Sequence, residues 1–185
     1  MRNLIKRISA LLLCLLLVLS LAVTALAEEA NDTDEAAAAE EGTTLRILRQ
    51  KQFLDFAENC RLDSYSRNLS VVLLTDIDLT GVDFAGIPIF CGNFDGNGHT
   101  ISGLSITQDG SNMGLFRYVD ASALIQNLTV LGEIVPDGSR SAVGGIAGHN
   151  AGKIQNCFFD GTVSGSDDVG GIAGINAITG ERVWA

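Results

Sequence analysis

Residues 143–148 read VGGIAG, and the same six letters return at residues 169–174, 26 positions later. After each copy come one variable residue and then an asparagine, Asn150 or Asn176. A fixed period of this length is typical of a solenoid, in which each repeat forms one turn of a stack. The two copies therefore predict two consecutive turns of one solenoid.

A second pattern occurs in three six-residue segments, which read ISGLSI at 101–106, IQNLTV at 125–130 and IQNCFF at 154–159. Apolar residues hold the first, fourth and sixth positions, whereas a flat strand would place them at every second residue. The third position holds Gly103, Asn127 or Asn156, and Gly and Asn accept positive φ most readily. We therefore expect these three residues to form one stacked structural corner, where asparagine amides hydrogen-bond from turn to turn.

The run from Gly144 to Gly165 resembles the GLUG motif repeats of secreted bacterial surface proteins, which include adhesins and immunoglobulin A peptidases. Its letters are G-G-I-A-G-x-N-x-G-x-I-x-N-C followed by D-G-T-V-S-G. Upstream, DIDL at 76–79, FDGNGHTI at 94–101 and GLF at 114–116 are similar to the entry segment of the same proteins.

The resemblance covers roughly residues 44–177 and implies a pectin-lyase-like fold. The expected fold class is all-β, a right-handed single-stranded parallel β-helix with a short N-terminal capping helix. Such a fold does not fix a function, because the same architecture supports many activities.

Composition divides the chain into five predicted segments. They are an export leader at 1–27, an acidic disordered linker at 28–42, the N-terminal cap and first turns at 43–100, GLUG-like repeats at 101–177, and an irregular tail at 178–185. An uncleaved membrane anchor is the alternative interpretation of the leader. The repeat register fails in the tail, which indicates either a truncated chain or an edge on which something stacks.

Residues 50–60 have a helical pattern, with Phe53, Leu54, Phe56 and Ala57 on one side. The open first turn of a solenoid exposes apolar side chains and unpaired backbone groups. We therefore expect this helix to cap the N-terminal end of the solenoid.

The net charge is −10, only 6% of the residues are aromatic, and 21 are glycine. An acidic chain without a basic cluster is unlike a nucleic-acid-binding protein. The same charge argues against docking on an anionic membrane, so membrane contact is expected only if the leader stays uncleaved.

Outside the leader the cysteines are Cys60, Cys91 and Cys157, an odd number without C-x-x-C spacing. Zinc and redox motifs are therefore not supported. Cys157 shares an apolar column with Leu104 and Leu128 and is interpreted as a small buried residue. A Cys60–Cys91 bridge is compatible with the sequence and stays open.

Asp76, Asp78, Asp95 and Asn97 offer oxygen atoms that Ca²⁺ could use. The third oxygen ligand and the distal glutamate of a calcium loop are missing, and turn chemistry explains the same letters. We predict no metal site and no cofactor. The pair Asp167–Asp168 is interpreted as a solvated loop tip.

Catalysis is not predicted, and no residue is assigned a catalytic role. His149 lies in a column otherwise filled by Tyr118 and Ile175, and His99 has no evident nucleophile beside it. The zinc signature H-E-x-x-H of some peptidases is absent from the sequence.

The favoured function is an exported bacterial surface or secreted β-solenoid that acts as a structural or adhesive module. Ser105, Thr129 and Phe158 are expected to face outward in one row that contacts a ligand at several points. The expected partner is an extended glycan or a host or cell-wall protein. The alternatives are a lyase-like enzyme acting on polysaccharides and a fragment of a larger surface protein whose active domain lies elsewhere.

Overall fold

The computed structural model describes residues 44–138 and 141–177, which form a parallel β-solenoid of about five turns. The predicted leader, linker and tail lie outside these residues. The strands are β1 (Thr44–Ile47), β2 (Ser70–Leu73), β3 (Ile77–Asp78), β4 (Ile87–Phe90), β5 (Asn93–Asp95), β6 (Thr100–Ile106), β7 (Phe116–Val119), β8 (Leu124–Ile134), β9 (Ser141–Gly144), β10 (Ala147–Asn150), β11 (Lys153–Val163), β12 (Asp167–Gly170) and β13 (Ala173–Asn176). The helix α1 covers Gln50–Asn59.

The strands stack into faces in which all pairs are parallel. One face contains β1, β2, β5 and the first halves of β8 and β11, and a second contains β3, β6 and their second halves. A third face has the order β13-β10-β7-β4, and β9 pairs with β12. The predicted all-β parallel solenoid is thereby confirmed.

Apolar side chains pile up in columns that run through the coils. On the first face the column is Leu45, Val71, Phe94, Ile125 and Ile154. On the second face it is Ile77, Ile101, Val130 and Phe159. Most members are fully buried, whereas Leu45 and the two members on β11 are only partly buried against the core.

The helix α1 packs on the N-terminal coils, as predicted. Phe53 and Phe56 are buried on its inner side. Their rings lie 5.7 Å from Phe84 and 6.0 Å from Phe90, measured between centroids. The apolar end of the first coils is therefore covered by aromatic rings rather than by water.

The 26-residue repeat is confirmed as a stacking relationship. Val143 lies opposite Val169, and Ala147 lies opposite Ala173. Ala147 also lies opposite Phe116 of the neighbouring coil.

The predicted corner column is wrong for Gly103. Ile101 lies opposite Val130, not beside Ile125, and the register shifts between Ile101 and Leu104. Gly103 (φ 68°) therefore belongs to a bend on the second face, away from Asn127 and Asn156. The sequence could not separate the two bends, because a left-handed residue at either one produces the same apolar spacing.

Two smaller expectations also change. Asp167 and Asp168 are exposed as expected, but they belong to strand β12, where Asp167 pairs with Ser141, and not to a loop tip. Cys157 lies opposite Leu128, but it is only partly buried, and Leu104 is not in its column. Cys157 belongs to the last long strand described, so only one neighbouring coil covers it.

Candidate functional site

Asn127 and Asn156 bend the long strands β8 and β11 at equivalent positions of two successive coils. Their φ angles are 53° and 50°. This left-handed conformation costs most L-residues about 1–2 kcal/mol, but Asn tolerates it because its short side chain bonds locally. The two asparagines therefore set the edge between the first and second faces.

Two series of side-chain amides run along this edge and end at Asp95. Asn156 Nδ2 donates to Asn127 Oδ1 at 2.7 Å, and Asn127 Nδ2 donates to Asp95 Oδ1 at 3.0 Å. Beside them, Gln155 Nε2 donates to Gln126 Oε1 at 2.8 Å, and Gln126 Nε2 donates to Asp95 Oδ2 at 3.0 Å. We call these five residues the amide ladder. The predicted turn-to-turn bonding of asparagines is confirmed.

The carboxylate of Asp95 also accepts a hydrogen bond from its own turn, in addition to those from the ladder amides. The backbone N–H of Asn97 donates to its Oδ1 at 2.7 Å. Partial burial raises the pKa of Asp95, but the donors on Asn127, Asn97 and Gln126 together outweigh it and hold the pKa below its ordinary value of 3.8. Asp95 is therefore ionised near neutral pH and fixes the direction of both amide series.

A shallow groove with a cavity volume of about 360 Å³ lies beside the ladder. Its lining includes Asn127, Asn156, Thr129 and Phe158. Thr129 lies opposite Phe158 on adjacent coils, and the Phe158 side chain is 59% exposed. An exposed ring next to hydroxyl and amide groups can contact both the apolar face and the hydroxyl groups of a sugar.

Ser105 does not belong to this row, which corrects the predicted set of three ligand-facing residues. It is exposed but lies opposite Glu133, whereas Thr129 lies opposite Thr100 and Phe158. The reason is the same register error as for Gly103, since Ser105 follows the other bend.

The acidic candidates for calcium accept hydrogen bonds from nearby groups, within the same turn for Asp78 and from the next coil for Asp76. Asp78 Oδ1 accepts from the backbone N–H and the hydroxyl of Thr80, at 2.9 and 2.6 Å, and these bonds lower its pKa. Asp76 Oδ1 accepts from the backbone N–H of Thr100 at 2.9 Å. Within the described ranges no three His, Cys, Asp or Glu residues are grouped to hold a metal ion.

The structure gives His99 a partner that the sequence reasoning missed. Its Nδ1 lies 3.0 Å from Asp76 Oδ1. The backbone bond from Thr100, followed by the contact with His99, lowers the pKa of Asp76. The pair spans 23 residues, close to one coil, and that spacing was the available indication.

His149 is placed as predicted, between Tyr118 and Ile175 on the third face. Its ring stacks on Tyr118 with centroids 4.9 Å apart and an interplanar angle of 14°. The side chain therefore serves packing between coils, and no carboxylate is placed against it among the contacts of the described residues.

Comparison with known proteins matches residues 139–164 to the GLUG motif. Halomucin of Haloquadratum walsbyi is 33% identical over 138 residues, which cover 69% of this chain and 2% of halomucin. A protein described as "Putative Gly-rich membrane protein" of Evansella cellulosilytica is 35% identical over 96 residues, covering 45% of this chain and 11% of that protein. No solved structure matches the chain.

In the part of the chain that the structure describes, no helix has the length and apolar character needed to cross a membrane. The matched region includes all of β9, β10 and β11. The chain carries the GLUG motif, and its described residues fold as a parallel β-solenoid.

Proposed function

We propose that this chain is part of an exported surface protein, in which the solenoid is a rigid module that binds an extended glycan. The observation that carries the proposal is the groove beside the amide ladder, where the exposed ring of Phe158 adjoins Thr129 and the corner asparagines. The names of the relatives, a halomucin and a membrane protein, are compatible with a place at the cell surface.

The recognition mode follows from the stacking of the coils. Neighbouring strands lie about 4.8 Å apart, so equivalent outward groups recur at that spacing along the axis. Thr100, Thr129 and Phe158 form such a row across three coils. A polymer lying along the row would contact several weak positions at once, and the contributions would multiply.

The acidic surface favours a neutral or basic glycan. The second face carries Asp76, Asp78, Glu133 and Asp160, all exposed. An anionic polysaccharide would be repelled by these carboxylates, particularly at low salt.

The experiment is a titration of immobilised neutral, amino and acidic polysaccharides with the chain and with Phe158→Ala. We expect a neutral or amino polysaccharide to bind, and Phe158→Ala to weaken binding about tenfold, equivalent to about 1.4 kcal/mol. Leu62→Ala is the matched control, because Leu62 is also an exposed apolar residue, 67% accessible, and lies outside the groove. Equal losses for both variants, or undiminished binding by Phe158→Ala, would refute the proposed site.

A lyase-like enzyme is the second candidate, and the His99–Asp76 pair is the observation that favours it. Release of unsaturated sugars from any of the same polysaccharides, lost in His99→Ala, would support catalysis in place of simple binding.

A further inference from the structure

Two buried thiols lie at the junction between the capping helix and the coils. Cys60 follows α1 directly, and its backbone N–H donates to the carbonyl of Phe56 at 3.1 Å. Cys91 follows β4 directly. Both are free thiols in this structure, and both are buried.

Cys91 is held against the turn that begins at Cys60, directly after α1. Ser66 is fully buried, and its Oγ accepts from the backbone N–H of Cys91 at 3.0 Å. Sγ of Cys91 lies 3.6 Å from the carbonyl oxygen of Asp63, in the same turn. Cys91 is therefore held in the part of the core where Cys60 ends the helix, and the Cys91 thiol is one of the groups that raise the pKa of Cys60, after burial.

Of the two thiols, Cys91 is the less deeply buried, with 6% of the residue exposed against 0% for Cys60. It lines a surface groove with a cavity volume of about 330 Å³, together with Arg67 and Ser122. Burial, followed by the nearby carboxylate of Asp120, raises the pKa of Cys91, while Arg67 opposes that rise. Burial raises the pKa of Cys60 to about 12, so Cys60 is the less reactive partner.

We propose that Cys60 and Cys91 form an intramolecular disulfide that fastens the capping helix to β4. The reaction needs an oxidant, for which oxidised glutathione serves in vitro and an exported thiol–disulfide oxidoreductase in the cell. The cellular form of the inference rests on the proposed export, because disulfides persist in oxidising compartments. It does not rest on glycan binding.

The chemistry proceeds through a mixed disulfide. The thiolate of Cys91 attacks one sulfur of oxidised glutathione, forms a Cys91–glutathione disulfide and releases one glutathione thiolate. The thiolate of Cys60 then attacks Sγ of Cys91 and releases the second glutathione. The two protein thiols lose two protons and two electrons, and one oxidised glutathione becomes two reduced molecules.

The test uses the full chain carrying Cys14→Ser, so that three thiols remain. After incubation with oxidised glutathione, the protein is denatured, alkylated and weighed, and its peptides are mapped without reduction. We expect one alkylated thiol, Cys157, and one peptide pair joined through Cys60 and Cys91. Adding Cys157→Ser should leave the same joined pair and no free thiol.

The melting temperature supplies a second readout on the same protein. A bridge across about 30 residues is expected to raise the Tm by roughly 10 °C over the reduced form. Three alkylated thiols, a stable glutathione adduct on Cys91, or a bridge that involves Cys157 would each overturn the proposal. An unchanged Tm in the bridged protein would overturn the fastening role, whatever the outcome of the glycan titration.

Discussion

Asn156 donates its side-chain amide to Oδ1 of Asn127 across 2.7 Å, and Asn127 donates in turn to Asp95. Both asparagines also have a positive φ. Each therefore holds the bend of its own coil with its backbone and the neighbouring coil with its side chain. A substitution at either asparagine is therefore expected to affect both its own coil and the neighbouring one.

The two contributions at Asn127 are separable by substitution. Asn127→Gly keeps a residue that accepts positive φ but removes the side-chain bonds, and we expect a loss of about 1–2 kcal/mol. Asn127→Ala removes both contributions and should cost about 1 kcal/mol more. Denaturant unfolding measures the difference, and equal losses for the two variants would show that the backbone conformation carries no strain.

Acidification should weaken the ladder through Asp95. Hydrogen bonds hold its folded pKa below the ordinary value of 3.8, so the folded state binds the proton less readily than the unfolded state. The stabilisation is therefore complete above the unfolded pKa and is lost as the pH falls through the folded pKa. We expect the stability gap between the wild type and Asp95→Asn, about 1–2 kcal/mol near neutral pH, to narrow below pH ~4.

That comparison is measured by urea unfolding at a series of pH values. Asp160→Asn is the control, because it removes the same charge from an exposed acid that lies outside the ladder. A gap that stays constant down to pH ~2.5 would mean that Asp95 does not titrate differently in the two states.

Equivalent glycines of the repeat should respond differently to one added methyl group. A Cβ on Gly145 would lie 2.5 Å from Cδ2 of Phe159 and would also meet the carbonyl of Gly171. A Cβ on Gly171 meets nothing within 4 Å among the described atoms. We expect Gly145→Ala to cost about 2–3 kcal/mol and Gly171→Ala to change stability by less than about 0.5 kcal/mol.

The two variants also test whether the coil that contains Gly171 has an open side. A large loss in Gly171→Ala, similar to that in Gly145→Ala, would contradict an open environment there and would indicate another segment stacked on this coil. Thermal unfolding of the two purified variants decides between the outcomes.

The capping helix should contribute to the stability of the fold through its buried phenylalanine rings. Phe56→Ala removes a side chain that contacts both Phe90 and Phe94, with ring centroids 6.0 Å away in each case. We expect a loss of about 3–4 kcal/mol. Leu54→Ala, on a partly buried position of the same helix, should cost clearly less, and a reversed order would contradict the capping role.

Much of the fold could be predicted from the sequence, because identical residues occupy equivalent positions of successive coils. VGGIAG repeats letter for letter, so its stacking of Val143 on Val169 followed directly. The helix was readable because its apolar residues recur on one side. The bend at Gly103 was not separable from the bend at Asn127, since both produce the same local spacing of apolar residues.

The candidate site was only partly predictable because the coils differ in length. Leu124 and Lys153 are 29 residues apart, whereas Asn93 and Leu124 are 31 apart. The pairing of Thr129 with Phe158 falls inside the regular repeat and was therefore recognised. The convergence of two amide series on Asp95, and the contact of His99 with Asp76, depend on the irregular coils and required coordinates.

The helix over the N-terminal coils gives the stack a direction. Each coil adds about 4.8 Å of height to the stack. Duplication of one 26-residue unit would therefore lengthen the stack by one strand spacing, and the added coil would extend it on the side away from α1. The number of repeats would then set the length of the stack measured from the helix, and the contacts between the helix and the first coils would not change.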